Sequence, residues 1–419
     1  MSVFGAFLGS LTGGMYTEYI GRKKSMVFGN VLAFCSLLCI WSAKDISLLF
    51  VGRFMVGFAN GSLNTCIGPY VGEVCQPGLR KVTSIFGYAF NSVGFAVFYI
   101  LGIYFHWRKI IFVFLWWPLI CGILVIFCPE SPPWLVSRGK LEESKRCLIR
   151  LRKDTLVVNE EYERIVTNAE KQAKQRNLLK EKSVCIARCS TVQQKTFLKP
   201  FSLLVLMMTI GLDFTGEPAI SYYLVPVLSK LNIPISANIT AAIVASWKVV
   251  IAIVCTISAS KIPRRRLYTT GCVVSGMGCF LFATINYLET RNNVYQQFEE
   301  TYLFTKWLPI IPILLINTGA GIVVPVTVTL LGELLPSNLR SFGSGILIAI
   351  SYISLFVAVK ATPFIQQIIG LDGVYFIFFG CNIFVLVIVY INLPETFGLT
   401  LEDIEEHYRR LCSTKNTKK

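Results

Sequence analysis

Ionisable side chains are scarce in this chain, and three of them, Asp213, Glu217 and Lys248, stand inside long apolar stretches. A lone charge near the middle of a membrane-spanning helix costs about 2.5–3.5 kcal/mol on insertion scales, so it is retained where it is paired or binds something. Asp213 and Lys248 are expected to form an ion pair across a cavity, with Glu217 one turn beyond Asp213. That is the chemistry of polar-solute recognition rather than of bond making. Only His106 and His407 are available for acid–base or metal chemistry, and the 14 cysteines are scattered with no C-x-x-C pair. No catalytic residue, metal site or cofactor is expected.

A second set of charges recurs in one order. Gly21-Arg22-Lys23 is followed by Glu73 with Arg80, and then by Pro129-Glu130-Ser131. Arg264-Arg265-Arg266 is followed by Glu333 with Arg340, and then by Pro394-Glu395-Thr396, with Pro394 lying 265 residues after Pro129. Each mark falls at the end of an apolar run. The chain therefore reads as a duplicated membrane unit.

The elements that must position these residues follow from hydropathy. The chain has 419 residues, 54% apolar and 15% charged, with a mean hydropathy of +0.59. Runs of about 18 or more apolar residues read as membrane-spanning helices, since ~20 residues at helical rise cross the hydrocarbon core. Eleven spans are expected, at 3–20, 26–43, 47–68, 83–105, 109–128, 203–224, 236–259, 267–287, 306–331, 341–361 and 372–393. The net charge of +16 sits in alternate loops, where it sets orientation rather than binding nucleic acid. The basic loops predict a cytoplasmic linker and C-terminus. Residues 1–128 form one transmembrane half and 201–396 the other, joined by a linker over 129–200 that carries short helices; 397–419 is a cytoplasmic tail. The linker holds 16 Lys/Arg and 9 Asp/Glu at the spacing of surface helices. The second half has six spans and the first only five before its Pro-Glu-Ser mark, so one helix is missing from the repeat at its start.

In these motifs the chain resembles the sugar porter family of the major facilitator superfamily. The stretch from Gly14 through Glu18 to Gly21-Arg22-Lys23 matches the family loop G-x-x-x-D/E-x-x-G-R-R/K. Arg53 with Gly57 and Gly61, then Pro69-Tyr70 with Glu73, match the family's fourth helix, and Gly332-Glu333-Leu334-Leu335-Pro336 is similar to arthropod trehalose transporters. The resemblance implies an all-α fold of two pseudo-symmetric six-helix halves, here lacking the first helix. It implies a carrier in the plasma membrane that moves a hexose or a trehalose-like disaccharide by alternating access. The partners are a small solute and the lipid bilayer.

Charges at the cytoplasmic helix ends are expected to bond between the two halves and close an inner gate. The gate residues are Glu18, Arg22, Arg53, Glu73, Arg80, Glu130, Arg264, Arg265, Glu333, Arg340 and Glu395. The family's sugar-lining positions, by contrast, are rewritten. Tyr88 replaces a glutamine, Leu212-Asp213 replaces a Gln-Gln pair, Lys248 replaces an asparagine, and Ser351-Tyr352 replaces Asn-Trp. Cavity candidates are thus Tyr88, Asp213, Glu217, Tyr222, Tyr223, Lys248, Pro325 and Ser351. So altered a lining also fits a non-transporting paralogue that senses a solute or serves as a scaffold, and an incomplete gene model of an ordinary transporter.

Overall fold

The computed structural model describes residues 1–75, 77–152, 155–178, 195–231, 233–259, 261–291, 307–335 and 340–395. Among the described residues there is no strand. Helices α1 (Ser2–Ile20), α2 (Arg22–Ser42), α3 (Ile46–Val74), α4 (Pro77–Tyr104) and α5 (Trp107–Phe127) form the first half. Three helices of the linker follow, α6 (Pro132–Ser137), α7 (Leu141–Leu151) and α8 (Thr155–Leu178). The second half comprises α9 (Lys195–Asp213), α10 (Glu217–Leu228), α11 (Ala237–Ala259), α12 (Arg264–Arg291), α13 (Ile310–Leu334) and α14 (Arg340–Asn392).

Nine described segments are long and apolar enough to cross a membrane. One of them, Gly343–Asn392, has 50 residues. At 1.5 Å per residue it would reach ~75 Å, more than twice a hydrocarbon core of ~30 Å. It breaks at Gly370, where φ is +81°, so it makes two crossings, in line with the expected spans 341–361 and 372–393. Helix α1, expected as a span over 3–20, is not among the nine. Glycine, serine and threonine dilute its apolar content, and it packs through them instead. Gly5, Gly9 and Gly13 face α3, whose Gly57 and Gly61 face back, and a Cβ at Gly9 or Gly61 would overlap the opposing backbone carbonyl. Two glycine rows at four-residue spacing are what close helix contact in lipid requires.

The second half has the denser core. Leu204, Met207, Tyr268, Val323, Leu330 and Val389 form one buried cluster, and Ile220, Phe282, Ile313, Tyr375 and Phe378 another. Of the 18-residue apolar windows, 67% is buried in α13 and 11% in the α4 segment Phe86–Tyr104. Across the two halves, α4 packs against α11 and α1 packs against α14. These two seams join the halves.

Candidate functional site

The centre of the site is a broken helix. Helix α9 ends at Asp213 and α10 begins at Glu217, with Gly216 between them at φ +88°, a conformation glycine adopts without strain. Three side chains hold the break open by donating to the Thr215 carbonyl: Ser275 Oγ and Cys279 Sγ at 3.1 Å, and Asn382 Nδ2 at 3.5 Å. Discontinuous helices in membranes occur where protein buries the freed backbone groups or where they line a cavity.

The break separates the two carboxylates. In an unbroken helix Asp213 and Glu217 would share a face, four residues apart. Here Glu217 opens a helix, where the positive dipole end suits an anion, and Asp213 closes one, where the negative end does not. Lys248 pairs with Glu217, not with Asp213 as the spacing predicts. Its ammonium also donates to Ser221 Oγ at 2.7 Å, and Ser221 Oγ donates to Glu217 Oε1 at 2.5 Å. Phe95 of α4 closes the group, with Lys248 Nζ 5.1 Å from its ring centre.

Asp213 has less company. It is 5% exposed, and its Oδ2 has no hydrogen-bond partner. Ser354 of α14 is within hydrogen-bonding reach of the carboxyl. Tyr222, half exposed, lies within electrostatic range of Asp213, Glu217 and Tyr352.

Of the other expected cavity residues, Tyr223 donates to the Val359 carbonyl at 3.1 Å from a second kink in α10. The Tyr88 hydroxyl reaches across to α13, where a Cβ on Gly321 would lie 3.7 Å from it. Pro325 is buried within an otherwise continuous α13, and Ser351 is half-buried on α14. Sequence reasoning missed Asn64, whose Nδ2 donates to the Tyr352 hydroxyl at 2.6 Å and links α3 to α14. It also missed Tyr99, which donates to the Ser221 carbonyl at 3.4 Å, and Phe95. Ser221 was readable as a neighbour of Glu217 four residues on. Phe95 and Tyr99 carry no signal apart from their aromatic character.

At the charged end of the bundle the expected residues gather in two clusters, one per half. Arg22 grips Glu73 with two bonds of 3.2 Å, and Glu130 Oε1 accepts the backbone N–H groups of Arg22 and Lys23 at 3.0 and 3.1 Å. Ser131 donates to Glu73 as well. The second half repeats the plan: Arg264 lies 3.7 Å from Glu333, and Glu395 Oε1 accepts the Arg264 N–H at 3.0 Å. Each acid caps the N-terminus of a helix, as the dipole favours. These described pairs each close within one half, and the expectation of bonds between the halves extends to Arg80 and Arg340, whose side chains lie outside the described residues. A repeat in sequence shows which residues correspond but not which of them meet.

Several gate residues have other roles. Arg265 packs over the Tyr390 ring at 4.6 Å and donates to the Tyr390 carbonyl. Glu18 contributes its carbonyl to Trp134 Nε1 at 2.9 Å and to Arg138. Arg53 is exposed and lies 20 residues before Glu73 on α3, which at helical rise is ~30 Å away, so it belongs to the opposite end. The side chains of Arg80 and Arg340 lie outside the described residues, as does the tail over 397–419. The linker helices lock onto the first half through Arg152, which bonds Glu161 at 2.9 and 3.0 Å and the Val74 carbonyl at 3.1 Å.

Comparison with known proteins converges on one family. The family model described as Sugar (and other) transporter matches residues 1–408. Facilitated trehalose transporter Tret1 of Drosophila pseudoobscura pseudoobscura is 26% identical over 98% of the chain, which covers 46% of that relative. Tret1 of Culex quinquefasciatus is 27% identical over 98% of the chain and 77% of the relative. The chain thus spans about half the length of most of these curated relatives. Among solved structures, the proton:xylose symporter XylE bound to 6-bromo-6-deoxy-D-glucose superposes with a TM-score of 0.76 at 19% identity, covering 97% of this chain and 87% of that one. The human organic anion transporter MFSD10 gives 0.60 at 12% identity, over 93% and 81%. At such identities the likeness shows the major facilitator fold.

Proposed function

Because the chain belongs to the sugar (and other) transporter family, we propose that it carries a specific sugar across the plasma membrane by alternating access, the trehalose named for its relatives being the first candidate. The observation that supports this most is the α9–α10 break, which places polar side chains at the level where the two halves meet. The halves 1–128 and 201–396 rock about the α4–α11 and α1–α14 seams, with the two charged clusters and the linker on the cytoplasmic side. Each cluster holds its own half rigid, and rigid halves are what a rocking mechanism needs.

Uptake of labelled trehalose, glucose and xylose into oocytes expressing the chain tests the reading. Saturable uptake of one of them above water-injected controls is expected. Absence of uptake of every sugar, with surface expression verified, would overturn it and favour the solute-sensing paralogue.

A further inference from the structure

The two carboxylates at the helix break differ in what completes them. Glu217 has its ammonium from Lys248, its hydroxyl from Ser221 and the favourable end of α10. Asp213 is more deeply buried, yet Oδ2 is left without a partner and the residue stands at the unfavourable end of α9. Lys248 does not balance it, because its ammonium is already occupied by Glu217, Ser221 and the Phe95 face. An ionised carboxylate with an open acceptor in an apolar interior is stable only with a cation beside it. Both the open acceptor and the negative end of α9 ask for that cation at the same point.

The surroundings select its kind. Tyr222 and Tyr352 stand within electrostatic range of each other and Tyr222 within range of Asp213, while Ser354 reaches the same carboxyl. An ammonium group on a hydroxylated ring matches a carboxylate, hydroxyls and aromatic faces together. A small hard ion would need several more oxygens than this corner offers.

We propose that the solute is a cationic sugar, an amino sugar whose ammonium is received by Asp213 at the end of α9. This rests on the sugar-carrier reading and sharpens its substrate class. Glucosamine, N-acetylglucosamine and glucose differ at one ring position, and only the first carries the charge.

Uptake of the three labelled sugars into cells expressing the full chain, from buffers of equal ionic strength, tests the assignment. A charge-assisted bond in a buried site corresponds to a preference of at least ~10-fold for glucosamine over its N-acetyl derivative. In Asp213→Asn that ratio should fall to within ~3-fold, whatever the absolute rates, while Asp213→Glu should keep most of it. Equal uptake of glucosamine and glucose by the unaltered chain would overturn the assignment and leave the sugar-carrier reading standing. Neutral-sugar uptake that rises on acidification, with no amine preference, would identify a proton as the partner of Asp213 and also overturn it. Uptake of none of the three would overturn the amino-sugar assignment, and the trehalose and xylose uptakes then decide whether the sugar-carrier reading stands.

Discussion

Lys248 makes three contacts where one would neutralise it, and the consequence is a site with unequal acids. Removing the lysine leaves the largely buried Glu217 without its counter-charge, whereas removing both ends leaves a neutral contact. Breaking one end of a buried pair costs about 3–5 kcal/mol, while replacing both is far milder. Lys248→Met should therefore lower the unfolding temperature and surface level of the protein strongly, and Lys248→Met with Glu217→Gln should recover most of the loss. A thermal-unfolding cycle in detergent reads this directly. Absence of coupling to Glu217, with coupling to Asp213 in a parallel cycle built on Asp213→Asn, would show the pairing to be misassigned. That three ionisable residues cluster was legible in the sequence, since charges inside apolar spans need partners. Which acid takes the lysine was not, because counting along α9 assumed an unbroken helix, and Gly216 turns Glu217 away from the face of Asp213.

At the level of elements, the break and the linker each depend on a local conformation that can be tested. Gly216 has φ +88°, and a Cβ there would come within 2.9 Å of Cys279 Sγ. Left-handed backbone costs a non-glycine residue about 1–2 kcal/mol, so Gly216→Ala should lower the unfolding midpoint by a few degrees or more. Gly87, with open space around it, provides a control substitution. In the linker, Cys147 Sγ donates to the Glu130 carbonyl at 3.2 Å, so α7 reports on how firmly the linker sits. Burial pushes the Cys147 thiol up, the Glu130 charge adds to this, and Arg150 and Arg152 oppose it. A raised thiol holds less thiolate at neutral pH than a free cysteine, so maleimide labelling should be slow and should accelerate as pH rises. Arg152→Gln removes the link from α7 to α8 and to the end of α3. It also removes a charge that favours the thiolate, but burial is the larger influence, so loosening wins and labelling should become several-fold faster. An unchanged or slower rate would mean that Arg152 does not hold α7 in place.

For the whole molecule, the repeat carried most of the information that the sequence offered. Gly21-Arg22-Lys23, Glu73 and Pro129-Glu130-Ser131 announced a frame that Arg264, Glu333 and Glu395 rebuild in the second half, down to the acid capping the N-terminus of the helix at the basic mark. Spacing could not show that Arg22 takes Glu73 and Arg264 takes Glu333, because an arginine in one half is equally compatible in sequence with either glutamate. Among the described residues each half has an arginine–glutamate pair of its own, Arg22–Glu73 and Arg264–Glu333, while Asn64–Tyr352 and Tyr99–Ser221 bond across the seam between halves. Residues 1–178 and 195–419, co-expressed as separate chains, should therefore assemble and copurify. Arg264→Ala should lower the yield of the second fragment, by removing a buried guanidinium that faces the half-buried Glu333 and is capped by Glu395, without weakening the association of what survives. Asn64→Ala combined with Phe95→Ala should do the reverse, leaving each fragment's yield nearly intact while reducing copurification by several-fold. Quantifying each fragment by its own tag separates yield from association. If Arg264→Ala dissolves the association while the seam variant leaves it intact, the ionic clusters join the halves after all, and the rocking of two self-contained bodies has to be abandoned.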